Sequence, residues 1–137
     1  MTSSWWAAAF FSSRPGTPDP KKGNPNTVYR LDLATKKLHQ PLAWPQVHMP
    51  NGIVAAPDGK TLYLIEAHPG AKRNRNILAF DLAADGRLSN RRTHINFYPG
   101  RSGDGMCIDA MGYLYVAAGL HQTRKTSETL DTARAST

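Results

Sequence analysis

Apolar and polar positions alternate along most of the chain, and the alternating runs are separated by short turn motifs. In PNGIVAAPDGKTLYLIEA (residues 50–67), Ile53, Val54 and Ala55 lead up to Pro57-Asp58-Gly59-Lys60, and Leu62, Tyr63, Leu64 and Ile65 lead away from it. Asp-Gly between two such runs predicts a β-hairpin, because glycine supplies the positive φ that a tight turn needs. NILAFDLAADGRLSNRRTHINF (residues 76–97) alternates in the same way around Asp85-Gly86. GDGMCIDAMGYLYVAAG (residues 103–119) repeats the first hairpin, with Asp104-Gly105 in the place of Asn51-Gly52, Leu114-Tyr115-Val116 in the place of Leu62-Tyr63-Leu64, and a turn at Met111-Gly112. An earlier copy of the second hairpin is TVYRLDLATKKLHQPL, where Tyr29-Arg30-Leu31-Asp32-Leu33 stands as Leu78-Ala79-Phe80-Asp81-Leu82 stands later.

The pattern repeats after about fifty residues, with four strands to the unit, and that is the signature of an all-β fold built from propeller blades. Period-two spacing predicts that Ile53, Val54, Leu62, Leu64, Leu78, Phe80, Met106, Ile108, Leu114 and Val116 form the apolar faces of stacked strands. The expected organisation is an irregular N-terminal segment over 1–26, a partial β-propeller of about two blades over 27–120, and a loop or tail over 121–137. Residues 14–26 are dense in Pro, Gly and Asn and read as loop. Residues 121–137 carry no apolar periodicity. The propeller pattern stops after the second strand of a blade, so a fragment of a larger ring is expected.

Composition changes this picture little. The 137 residues carry a net charge of +7, yet the basic residues are scattered through turns and outer strands with no aromatic platform among them. The densest group, Lys72, Arg73, Arg75, Arg87, Arg91 and Arg92, reads as a solvated blade rim, and no nucleic-acid partner is expected. No apolar run reaches the roughly 18 residues of a membrane span. Cys107 is the only cysteine, so no internal disulfide forms, and a buried, inert thiol in a reducing, cytoplasmic setting is the favoured reading. The apolar start at Trp5–Phe11 leaves a secreted or periplasmic setting open, although it lacks a basic n-region. Trp44 is expected to cover a seam between blades.

Candidate chemistry lies at the entry to the first strand of each repeat. Asn51-Gly52 and Asp104-Gly105 occupy equivalent places, and innermost propeller strands begin near one central axis, so the two polar side chains would converge there. Amide and carboxylate oxygens are hard ligands suited to Ca, Mg or Mn and acceptable to Zn. By spacing alone, Asn or Asp before Gly also serves simply to make a turn. Glu66, His68 and His121 follow second strands, where either a rim contact with a ligand or a structural role is open to them. Asp58, Asp85 and Asp109 read as turn or strand-end residues. Asp32 and Asp81 read as a repeated blade feature.

PNGIVAAPDGKTLYL, ILAFDLAADGRLSNRR and GDGMCIDAMGYLYVA, in this order and at this spacing, resemble the SMP-30/gluconolactonase/luciferin-regenerating family, which includes the regucalcins. The resemblance covers residues 28–119 and implies a six-bladed propeller that hydrolyses a sugar lactone with one divalent cation in its central channel. It assigns Asn51 and Asp104 as metal ligands and makes Asp104 the candidate catalytic base. The family's third ligand, a Glu from an early blade, has no counterpart here, and further blades would be needed to complete the ring. Two other functions stay open: an inactive truncated chain, and a propeller that binds a partner without catalysis, for which the Asn51 and Asp104 pair has no use.

Overall fold

The computed structural model of the chain describes residues 9–14, 19, 21, 25–68, 75–98, 100 and 102–118. Every regular element among them is a β-strand: β1 (Ala9–Arg14), β2 (Thr27–Asp32), β3 (Leu38–Ala43), β4 (Pro50–Ala55), β5 (Thr61–Ala67), β6 (Arg75–Leu82), β7 (Leu88–Asn96), β8 (Met106–Ile108) and β9 (Leu114–Val116). They form three antiparallel sheets in simple meander order, β1-β2-β3, β4-β5-β6-β7 and β8-β9. The middle sheet is a complete four-stranded unit, and its first strand, β4, lies against both β1 and β8.

Strand periodicity explains how the sheets stack. Successive side chains on a strand face opposite ways. Leu62 and Leu64 of β5 and Leu78 and Phe80 of β6 therefore join Val28, Leu42 and Val47 in one apolar cluster, on the side of the first sheet. Ile65 and Ile77 point the other way and join Phe97 and Leu114, with Met106, Ile108 and Val116 packed against them. Both faces of the middle sheet are covered, so β5 and β6 read as nearly unbroken apolar runs in place of a strict alternation. Each fully buried Leu or Ile contributes about 1.5–3 kcal/mol. The ten apolar positions singled out by periodicity are all buried or packed on these two clusters. The three predicted turns are present, with φ of 69° at Gly59, 86° at Gly86 and 92° at Gly112.

Four expectations differ from the structure. The irregular course expected for 1–26 gives way at Ala9–Arg14 to a strand, which pairs along the whole of β2 from Ala9 opposite Asp32 to Arg14 opposite Thr27. The backbone groups on that edge of β2 need partners, and this requirement outweighs the poor local pattern. Cys107 is exposed. It lies opposite Tyr115 in the β8-β9 pair, and Tyr115 is exposed too, because only the opposite face of this sheet, with Met106 and Ile108, meets the middle sheet. Trp44 is 55% exposed and covers no seam among the described residues. Arg75 leaves the basic rim: it is buried, donates from Nη1 to the Gly100 carbonyl at 2.9 Å, and lies 5.7 Å from the Tyr98 ring centroid. The expected tail, 121–137, lies outside the described residues.

Candidate functional site

The site begins with an irregularity in β4. Pro50 pairs with Glu66 and Ile53 with Leu64, so three steps along β4 match two along β5, and the extra residue makes a bulge at Asn51-Gly52. A bulge breaks the ladder locally and re-aims side chains. Here the Gly52 N–H leaves β5 and donates to the Asp104 carbonyl at 2.9 Å. A side chain at position 52 would obstruct this approach, since a Cβ would stand 2.8 Å from that oxygen, 3.0 Å from Ile65 Cδ1 and 3.1 Å from the Met106 nitrogen.

Asp104 is held from its other side as well. Its N–H donates to the Ala117 carbonyl at 2.9 Å, and the Ala117 N–H donates to Gly105 at 2.9 Å, so the lead-in to β8 is tied to the strand end of β9. With both backbones fixed, the side chains meet: Asn51 Nδ2 donates to Asp104 Oδ1 at 2.7 Å, a charge-assisted hydrogen bond. Asp104 is exposed, and at neighbouring Gly105 an added Cβ would meet nothing within 4 Å. The predicted pair is thus brought together on the accessible edge of two consecutive sheets.

An amide and a carboxylate side by side suit a hard divalent cation. Asn51 faces Asp104 with Nδ2, so the oxygens that the pair can contribute to a ligand set are Asn51 Oδ1 and those of the Asp104 carboxylate; among the described residues no group of three or more His, Cys, Asp or Glu side chains gathers to hold a metal ion.

Glu66 does not stand at a rim. It is fully buried, and its carboxylate accepts the His48 N–H at 3.0 and 3.2 Å and the Met49 N–H at 3.5 Å. Burial pushes the carboxyl group above its ordinary range, against the opposing effect of those amides. The Glu66 carbonyl in turn accepts Ser102 Oγ at 2.8 Å. His68 is half-buried, and His121 lies outside the described residues.

The remaining aspartates serve backbone geometry. Asp58 accepts the Lys60 N–H, Asp85 the Arg87 N–H, and Asp109 the N–H groups of Met111 and Tyr113. Asp32 caps its turn through the N–H groups of Thr35 and Ala34, and Asp81 accepts Asn90 Nδ2 and Arg92 Nη1. These hydrogen bonds hold Asp32, Asp81, Asp85 and Asp109 below the usual carboxylate range. The Tyr115 hydroxyl, donating to Asp109 at 3.0 Å, is pushed up by that bond.

Sequence reasoning missed the bulge and the roles of Glu66 and Ser102. One signal was present: a Glu in the apolar run of β5, where an unpaired charge is costly, demands partners.

Comparison with known proteins places the chain in one family. A profile of the SMP-30/Gluconolactonase/LRE-like region matches residues 6–129. A lactonohydrolase of Aspergillus oryzae is 31% identical over 116 residues, covering 68% of this chain and 24% of its own length. The structure of a gluconolactonase from Xanthomonas campestris superposes with a TM-score of 0.62 at 29% identity, over 82% of this chain and 38% of that one. A luciferin-regenerating enzyme gives 0.56 at 25% identity, over 82% and 40%. The chain therefore spans about a quarter of the curated relative and about two-fifths of the solved ones. The likeness in three dimensions identifies the three sheets as part of a β-propeller.

Proposed function

Because the chain belongs to the SMP-30/Gluconolactonase/LRE-like family, we propose that it is part of a metal-dependent hydrolase that opens a sugar lactone with metal-activated water. The observation that carries this reading is the 2.7 Å contact between Asn51 and Asp104, side chains that consecutive sheets deliver to one accessible edge. A divalent cation bound there, whether Ca, Zn, Mg or Mn, would polarise the lactone carbonyl and lower the pKa of water. Asn51 and Asp104 would supply two of its oxygen ligands. Asp104 would also be the catalytic base, taking the proton from the attacking water, and Asn51 would hold the Asp104 carboxylate in place. The names of the Aspergillus and Xanthomonas relatives support the substrate class. Neither a nucleic-acid nor a membrane partner enters this reading, which needs the remaining blades to complete the ring.

A chimera tests it. Residues 50–118 are grafted in place of the matching segment of the Xanthomonas gluconolactonase, and glucono-lactone hydrolysis is followed with and without chelator. Activity that chelator abolishes, and that Asp104→Asn lowers by at least about 100-fold with the fold preserved, is expected. A folded chimera that hydrolyses no lactone would favour an inactive or purely binding propeller. An Asp104→Asn chimera working at the parental rate would remove Asp104 from the chemistry.

A further inference from the structure

We infer that Glu66 is the positioning residue of this site and that, through Ser102, it holds the two limbs carrying Asn51 and Asp104 in one register. The inference rests on the cation reading above for its functional meaning, and on geometry for its substance.

Glu66 ends the buried part of β5 and reaches both limbs. Its carboxylate takes the N–H groups of His48 and Met49, the residues that lead into Pro50 and the bulge at Asn51. The neighbouring Ala67 N–H donates to the Met49 carbonyl at 2.9 Å, which fixes the same limb a second time. The Glu66 carbonyl takes Ser102 Oγ at 2.8 Å, two residues before Asp104. The two limbs then close on each other through Gly52 and Asp104. A fully buried carboxylate is an expensive way to fill an interior, and an apolar residue of similar volume generally serves stability as well or better. What the carboxylate supplies here is a pair of acceptor atoms for amides at the entry to the bulge. An apolar side chain cannot do that.

The test uses the 137-residue chain, with Mn²⁺ as the probe. Binding is read by electron paramagnetic resonance, and exchange of the Gly52 and Asp104 amides is read by NMR in metal-free protein. Glu66→Gln and Ser102→Ala should each weaken Mn²⁺ binding by about 10–100-fold and speed exchange at both amides, and Ser102→Thr should restore both readouts. Val28→Ala removes buried surface in the first sheet, away from these groups. It should leave the Mn²⁺ affinity of the folded chain within about twofold, which separates positioning from general loss of stability. If Glu66→Gln does not fold, Ser102→Ala still tests the second link, from the Glu66 main-chain carbonyl to the limb carrying Asp104. Unchanged exchange at Gly52 and Asp104 overturns the inference. If Asp104→Ala binds Mn²⁺ as the parent does, the cation reading falls, and the exchange readout alone decides the positioning role.

Discussion

Gly52 and Asp104 lie so close that the Gly52 N–H reaches the Asp104 carbonyl over 2.9 Å, and a methyl group added to Gly52 would stand 2.8 Å from the same oxygen. Two of the three nearest neighbours of that methyl are backbone atoms, which cannot swing aside. Gly52→Ala should therefore cost about 1–3 kcal/mol and separate Asn51 from Asp104. Gly105→Ala, where an added Cβ meets nothing within 4 Å, should change stability by less than about 0.5 kcal/mol. Urea midpoints of the two variants provide the comparison.

The pH dependence of stability should carry two opposite slopes. The Glu66 carboxyl is raised above its ordinary 4.5 by burial, so between that value and its folded one the native state holds more protons than the unfolded state. Stability falls as pH rises through this window and is level above it. Asp32, Asp81, Asp85 and Asp109 are lowered from 3.8, and they contribute stability above that value that is lost as pH falls below it. Urea unfolding from pH 2 to 8 should show both limbs in the parent. Glu66→Gln should abolish the upper slope and keep the acid one.

Burial of the middle sheet on both faces sets where truncation hurts most. Leu64→Ala, at a fully buried site in the cluster shared with the first sheet, should cost about 2–5 kcal/mol. Arg91→Ala on exposed β7 should stay within about 0.5 kcal/mol. Denaturant curves of both variants provide the check.

The exposure of Cys107 predicts that a thiol reagent such as Ellman's reagent modifies the native chain completely, at a rate close to that in urea. Protection of the native thiol by more than about 100-fold would require the β8-β9 face to be covered.

Much of this architecture was legible because its signals are local. Asp58-Gly59, Asp85-Gly86 and Met111-Gly112 each announce a turn within a few residues, and Leu62, Leu64, Leu78 and Phe80 announce their face by spacing of two. The pairing of Asn51 with Asp104 was legible only through the repeat, which lets two distant residues be recognised as equivalent. What escaped depends on partners far away in sequence. The amides that satisfy Glu66 lie 17 and 18 residues upstream, and nothing near Glu66 indicates them. Cys107 looks like a core residue until the sheet it belongs to is seen to have, among the described residues, a neighbour on one side only. The pairing of Ala9–Arg14 is dictated by the open edge of β2, which no pattern within 9–14 describes.

The contact between Asn51 and Asp104 spans 53 residues of chain, and the enclosed segment includes β5, β6 and β7, the greater part of the middle sheet. Closing a flexible loop of that length costs about 3.5 kcal/mol of entropy plus a constant, which the packing of that sheet and of β8 must offset for the two side chains to meet. During synthesis at about 5–20 residues per second, Asp104 leaves the ribosome some 3–10 seconds after Asn51. For that interval the nascent chain has the first half of the site and no means of using it. A ligand that needs both halves can therefore bind only after both have been made and brought together, so it stabilises the assembled site and adds nothing to a chain still short of Asp104.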